Sequence, residues 1–267
     1  MMTEHDSRVC IVTGATGAIG KATASQIAAV LGYQVVLVGR DDSRMVQCAQ
    51  EIISTTGNER VSYELADLSR QSEIQALADR WQGPLHVLVN NAAATPRSRL
   101  ETPEGLEMQF ATNIMGYFWM TMAFRETLAS SAPSRVVNVA SYWAGDLDLD
   151  DLEFRRRPYR NGIAYRQSKQ ANRMLTAAFA RRFKAHGVAV NACHPGDVSS
   201  KLSHNLGFGG HESPDQGAQT PAWLATSETG QSQSGLYFEQ MRATPDRFVK
   251  DTAAVEALYN ICLEYRS

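Results

Sequence analysis

Short apolar runs rich in valine and isoleucine recur along the chain at residues 9–12, 35–38, 87–89, 136–139 and 188–192. Each reads as a strand covered on both faces, because a half-exposed strand would alternate polar and apolar positions. A weaker strand is expected at 61–65. Between the runs lie segments of helix length, at 18–31, 43–55, 69–81, 104–128 and 164–186. In the last of these, Ala171, Met174, Leu175, Ala178 and Phe179 fall at the spacing of one helix face. Strands alternating with helices predict βαβ units, and so an α/β fold built on a doubly wound parallel sheet. No repeat or linker breaks this rhythm before His194, so one domain is expected over residues 1–267.

Two stretches depart from the rhythm. Asp146, Asp148, Asp150, Asp151 and Glu153 are followed by Arg155, Arg156, Arg157 and Arg160. This reads as a solvated loop with local ion pairs, each contributing only about 0–1 kcal/mol. Residues 206–235 are rich in Gly, Ser, Gln and Thr, and read as a mobile surface segment with one short helix at 216–225. Loops of this kind often cover sites.

Composition narrows the function. Among 267 residues, 26 Lys and Arg face 28 Asp and Glu, a net charge of -2 that argues against an electrostatic nucleic-acid binder. Residues 1–7 form a polar extension, and no apolar stretch reaches the length of a membrane span. Cys10, Cys48, Cys193 and Cys262 stand far apart without a Cys-x-x-Cys pair, which suits reduced core thiols in a cytoplasmic protein. His194 and His204 have no clustered second ligand, so no metal is expected.

Candidate chemistry follows the strand ends. After the first strand, Thr13-Gly14-Ala15-Thr16-Gly17-Ala18-Ile19-Gly20 forms a small-residue turn opening a helix. Such a turn brings backbone N–H groups and the positive end of a helix dipole to a pyrophosphate. The second strand ends in Gly39-Arg40, and a cation there suits a ribose 2′-phosphate, favouring NADP(H) over NAD. Asp41 and Asp42 follow, either able to cap the next helix or reach a ribose. Asp67 and Leu68 follow the third strand, with Asp67 an acceptor for an adenine amino group or a helix cap. The fourth strand ends in Asn90-Asn91-Ala92-Ala93, at the sheet edge where open α/β sheets bind ligands.

Tyr165 and Lys169 lie one helical turn apart on one face. A phenol, with an ordinary pKa of about 10, exchanges protons more readily when a fixed cation favours phenolate. Ser141, just past the fifth strand, is placed to hydrogen-bond a substrate oxygen, or simply its own turn.

Taken in order, residues 13–20, Asp67, Asn91 to Ala93, Asn113, Ser141, Tyr165 with Lys169, and Pro195-Gly196 resemble the short-chain dehydrogenase/reductase superfamily over essentially the whole chain. Ser168-Lys169-Gln170-Ala171-Asn172, Asn191-Ala192-Cys193-His194-Pro195-Gly196, Gly217-Ala218-Gln219-Thr220 and Gly235-Leu236-Tyr237-Phe238 are similar to its retinol dehydrogenase-like branch, which includes bacterial ketoreductases. The resemblance implies a Rossmann-type sheet of about seven strands with helices on both faces. It also implies a tetrad: Tyr165 as proton donor and acceptor, Lys169 lowering its pKa and holding the nicotinamide ribose, Ser141 polarising the carbonyl, and Asn113 holding a relay water. Gly14, Thr16, Gly17, Ala18, Ile19, Arg40, Asp67, Leu68, Asn91, Ala92, Ala93, Tyr165, Lys169, Pro195, Gly196 and Val198 are then expected at the cofactor, with Ser200 where the family often has Thr.

Three departures from the family pattern stand out. Ala18 and Ala93 replace expected glycines, each adding a methyl near the cofactor path. Residues 142–163 form an insertion before Tyr165, about a dozen residues beyond the commonest family spacing, as the retinol dehydrogenase-like branch has.

The expected substrate walls, 94–100, 142–145, 154–163 and 201–211, bring Tyr142, Trp143, Phe154, Tyr159 and Phe208, with residues 199–234 as the covering segment. Aromatics favour a bulky apolar or aromatic carbonyl or alcohol, a small-molecule substrate. The expectation is therefore an NADP(H)-dependent ketoreductase. A silent nucleotide sensor and a reductase of conjugated double bonds are the alternatives. A homodimer or homotetramer pairing through the helices at 104–128 and 164–186 is expected by analogy, unless the insertion covers that face.

Overall fold

The computed structural model describes residues 7–265; the polar extension, apart from Ser7, lies outside the described residues. Eight strands form one sheet in the order β3-β2-β1-β4-β5-β6-β7-β8. They are β1 (Arg8–Thr13), β2 (Tyr33–Gly39), β3 (Val61–Leu65), β4 (Val87–Asn90), β5 (Ser134–Val139), β6 (Val188–His194), β7 (Tyr237–Glu239) and β8 (Arg242–Thr244). All neighbours pair in parallel except β7 with β8, an antiparallel hairpin the sequence pattern did not reveal. The reversal between β3-β2-β1 and β4-β5-β6 opens the crevice where such sheets bind ligands.

Helices α1 (Ala18–Ala28), α2 (Asp42–Thr56), α3 (Gln71–Arg80), α4 (Gly116–Ala123), α5 (Arg125–Ser130), α6 (Asn161–Phe183), α7 (Lys201–Asn205), α8 (Pro214–Thr226), α9 (Glu228–Ser232) and α10 (Thr252–Glu264) connect and cover the strands. The two faces hold separate cores. Val9, Ile11, Val36, Val38, Leu88 and Val136 face α3, α4, α6 and α10, while Cys10, Val12, Val35, Leu37, Val87 and Val89 face α1, α2 and α8. In β1, β2, β4, β5 and β6 both side-chain sets are largely buried, which is why these strands read as unbroken apolar runs, whereas the edge strand β3 is only partly buried and read more weakly.

Three expectations need correction. The single helix expected at 104–128 is a π-helical turn (Phe110–Met115) running into α4, then a break at Phe124 before α5. Residues 206–235 are not a mobile surface segment. They carry α8 and α9, and Ala218, Leu224 and Ala225 are fully buried against the sheet and α1. The small residues that made this stretch look loop-like allow α8 to press closely on α1. Arg135, buried inside β5, fixes α8 and α9 by donating to the carbonyls of Leu224 (3.2 Å) and Ser227 (2.6 Å) and to Gln231 Oε1 (2.6 Å).

The charge-reversing loop is likewise built rather than merely solvated. Asp151 is buried and accepts the backbone N–H groups of Arg155 (2.7 Å), Arg156 (3.2 Å) and Arg157 (3.0 Å). Glu153, also buried, accepts from Glu107 N (3.0 Å), Tyr265 Oη (3.1 Å) and the Arg155 guanidinium. Side-chain carboxylates here replace the ladder bonds that a loop lacks. Among the described residues, no helix is long and apolar enough to cross a membrane.

Candidate active site

The carboxyl ends of β1, β2, β4, β5 and β6 bring the expected residues to one edge. At β1, Gly14 adopts φ +63°, and a Cβ there would stand 2.7 Å from Ala92 Cα, so only glycine lets the turn meet the β4 end. Asn91 holds this junction: its Nδ2 donates to the carbonyls of Thr13 (2.9 Å) and Gly14 (3.3 Å). Gly17 caps α1 with no side chain over the helix end and is exposed; Thr16, Ala18 and Ile19 are half-buried around it. The first N–H groups of α1 are thus open to an anion, and a pyrophosphate fits this cradle. Ala18 begins α1 without closing the turn, and Ala93 is half-buried beyond Ala92.

Beside the turn stand two cations. Arg40 is 70% exposed and reaches Asp67 Oδ2 only at 3.4 Å. Arg44, which the motif reading missed, donates to the carbonyl of Thr16 at 3.1 Å and so leans over the glycine turn. Its signal was available as a second cation one helical turn after Arg40. Both aspartates between them have other duties. Asp41 caps α2 through Arg44 N (3.2 Å), and Asp42 accepts from Tyr63 Oη (3.0 Å). Asp67 accepts from Ser69 N (3.0 Å) and Oγ (2.8 Å). Burial would raise its pKa, but Ser69 and Arg40 together hold it below the ordinary value. The Leu68 side chain belongs to the core.

Ser141, Tyr165 and Lys169 converge as the motif spacing implied. The Tyr165 phenol shares a hydrogen bond with the Ser141 hydroxyl, which also accepts from Trp143 N at 3.1 Å. Lys169 is 2% exposed and donates to the carbonyl of Val139 at 2.8 Å, with its Nζ 5.6 Å from the Tyr165 ring centroid. Tyr117, absent from the motif reading, donates to the same carbonyl at 3.1 Å and lies 5.3 Å from Lys169 Nζ. Burial sets the proton affinities of both groups, while the Ser141 hydroxyl bond favours the phenolate. Tyr165 is pushed up to about 12 and Lys169 down to about 7 by desolvation.

Asn113 sits within the π-helical turn, a widened geometry common at functional sites. Its side chain is engaged with the loop after β4: Oδ1 accepts from Ala94 N (2.7 Å) and Nδ2 donates to Ala94 O (3.0 Å).

The aromatic residues divide into two groups. Trp143 lies 5.9 Å from the Tyr165 ring and meets Phe208 edge-on at 5.4 Å. Tyr142, half-exposed, packs edge-on against His194 (4.6 Å) and donates to Asp197 Oδ2 (3.3 Å). Tyr159 does not join them. Its ring packs on Phe154 (5.5 Å) and its hydroxyl donates to Pro96 O (2.8 Å), so it braces a wall of the site from behind. Desolvation pushes His194 down to about 4, which leaves the imidazole neutral. Pro195 and Gly196 follow β6, and Val198 is buried, bridging Glu212. Gly196 adopts φ +104° and its missing Cβ makes room for the Glu212 carboxylate, a group sequence reasoning did not place here.

Comparison with known proteins agrees with this geometry. Residues 8–208 match the family model for short chain dehydrogenase. Retinol dehydrogenase 13 of Mus musculus is 35% identical over 255 residues, covering 88% of this chain and 76% of that protein. Retinol dehydrogenase 11 of Homo sapiens is 37% identical over 245 residues, covering 86% and 76%. A crystal structure of an uncharacterised protein from Mycobacterium paratuberculosis superposes with a TM-score of 0.80 at 27% identity, covering 98% of this chain and 96% of the other. The chain thus belongs to the short-chain dehydrogenase/reductase family, in its retinol dehydrogenase-like branch, and is an oxidoreductase of small molecules built for a nicotinamide cofactor.

Proposed function

We propose that this chain is an NADP(H)-dependent ketoreductase acting, reversibly, on a bulky apolar or aromatic carbonyl or secondary alcohol. The observation that carries the reading is the meeting of Tyr165, Ser141 and Lys169 at the crevice beside the open α1 turn. A bound nicotinamide would supply or accept the hydride at the carbonyl carbon. Tyr165 gives its phenolic proton to the substrate oxygen during reduction and takes it back during oxidation. Ser141 donates to the same oxygen and holds it in line. Lys169, fixed by Val139 O, holds the ribose and compensates phenolate charge. Asn113 positions the loop at Ala94 and serves the proton relay.

Arg40 and Arg44 support NADP(H), because both carboxylates between them are engaged and leave the cations for a phosphate. Trp143 and Phe208, with the α7 segment from Ser200 to Gly210 beside them, support a bulky apolar substrate. The buried free thiols fit a reducing, cytoplasmic setting.

The test is purified protein with NADPH or NADH and a panel of aromatic ketones and aldehydes. NADPH consumption abolished by Tyr165→Phe is expected. Tight NADPH binding without turnover would leave a sensor, and turnover confined to conjugated enones would redirect the reading to double-bond reduction. Replacing Arg40 and Arg44 together by Ala should weaken NADPH about 10–100-fold with little change for NADH, since solvent exposure reduces the pair to about the 1.5–3 kcal/mol of a single charge-assisted bond. Equal losses for both cofactors would overturn NADP(H) preference.

A further inference from the structure

Behind Asn113 lies a buried polar chain that begins in the insertion and whose polarity is fixed at every link. The Pro96 carbonyl can only accept, so the Tyr159 hydroxyl spends its proton there, at 2.8 Å. The Tyr159 oxygen must then accept from its other neighbour, Gln109 Nε2, at 2.8 Å. Gln109 Nε2 also faces the carbonyl and Oδ1 of Asn161, at 3.2 and 3.0 Å, which sets its amide with the nitrogen toward the insertion. Gln109 Oε1 is thereby turned toward Asn113 and accepts from Asn113 Nδ2 at 3.3 Å. That contact acts with the Ala94 carbonyl, which accepts from the same Nδ2 at 3.0 Å, to orient the Asn113 amide so that its oxygen receives Ala94 N at 2.7 Å, while Ser168 Oγ accepts from Nδ2 at 3.3 Å and donates to Tyr165 O at 2.7 Å.

Gln109 is 1% exposed, and Glu107 fixes its backbone by accepting Gln109 N at 2.9 Å. A buried amide with both ends used is costly to misorient, because a flip sets oxygen against oxygen and nitrogen against nitrogen. We infer that Gln109 is a positioning residue that sets the orientation of Asn113, and that the insertion contributes to the site by supplying Tyr159 and Asn161 to hold it. The inference rests on the proposed reductase reading for its kinetic consequence, but its structural consequence is independent of turnover.

The experiment is a double-mutant cycle of Gln109→Leu and Asn113→Ala, with Tyr159→Phe as a milder variant that removes only a hydroxyl. Gln109→Leu should lower kcat about tenfold, equivalent to about 1.4 kcal/mol, with NADPH affinity unchanged. Tyr159→Phe should shift kcat the same way by about threefold, within the worth of one neutral hydrogen bond. In the Asn113→Ala background neither change should lower kcat further. Hydrogen exchange at the Ala94 amide should quicken in Gln109→Leu and Tyr159→Phe even in protein that turns nothing over.

Unchanged Ala94 exchange in both single variants, or kcat losses that multiply in the Asn113→Ala background, would overturn the inference. If Gln109→Leu does not fold, the Tyr159→Phe arm decides by the same readouts. Faster Ala94 exchange in the two variants, alongside a wild-type protein that reduces no carbonyl, would uphold the positioning role while the reductase reading falls.

Discussion

Tyr165 and Lys169 occupy a site whose burial opposes the charged state of each. With its pKa pushed up to about 12, Tyr165 stays protonated across the neutral range and is a standing proton donor for carbonyl reduction. Tyr165→Phe should lower kcat by about 10²–10⁴-fold with NADPH affinity kept, measured by steady-state kinetics and fluorescence titration. Lys169 carries a stability consequence with a definite sign. Its pKa falls from 10.5 unfolded to about 7 folded, so between these values the unfolded chain binds more protons than the native one. Stability from this group therefore rises with pH from about 7 toward 10.5, and below 7 the burial penalty is fully present. Melting temperature of the wild type relative to Lys169→Met should climb from pH 7 to pH 10; a flat difference would refute the shift. The Tyr165 and Lys169 pairing was legible because helical spacing alone places residues one turn apart together. Tyr117 and Gln109 were not, since a phenol and an amide inside an apolar helix give no local sign of what they will face.

At the scale of elements, the insertion shows how a polar segment becomes rigid. Its bonds run from carboxylates to successive backbone N–H groups, and these are strong because the acceptor is charged and shielded from water. Asp151→Ala should destabilise the fold by about 1–2 kcal/mol in urea unfolding, by leaving three partly buried N–H groups short of an acceptor. A change below about 0.5 kcal/mol would mean the loop is as solvated as its composition suggests. The glycine turn makes a parallel case. Gly14→Ala should cost about 1–3 kcal/mol through its positive φ and the approach of Ala92, and should weaken NADPH as the turn shifts. The unbroken apolar runs and the helical segments, apart from that at 104–128, were read correctly to within a few residues. The α8 helix was missed as a packed element because, apart from Leu224 and Thr220, its buried face is small, with Gly217, Ala218, Pro221, Ala222 and Ala225, residues whose value lies in what they leave room for.

For the whole molecule, the C-terminal helix packs on the helices that the family resemblance offers for pairing: Tyr259 of α10 meets Phe118 and Phe179 edge-on, and Glu256 pairs with Arg181 and Arg182. A monomer is therefore expected in sedimentation velocity at micromolar concentration, and a stable dimer there would require α10 to leave its seat. By itself the sequence determined the main strands, their parallel sense and the chemical residues at their ends. These follow from periodicity and from residue types whose chemistry is local. Only the tertiary structure decided which of two aspartates capped α2, that Arg44 leans over the turn, that Tyr159 braces rather than lines the site, and that the insertion reaches Asn113. Each of these depends on contacts between residues far apart in the chain, where a polar group's role is set by the partner that folding brings to it rather than by its own neighbours in sequence.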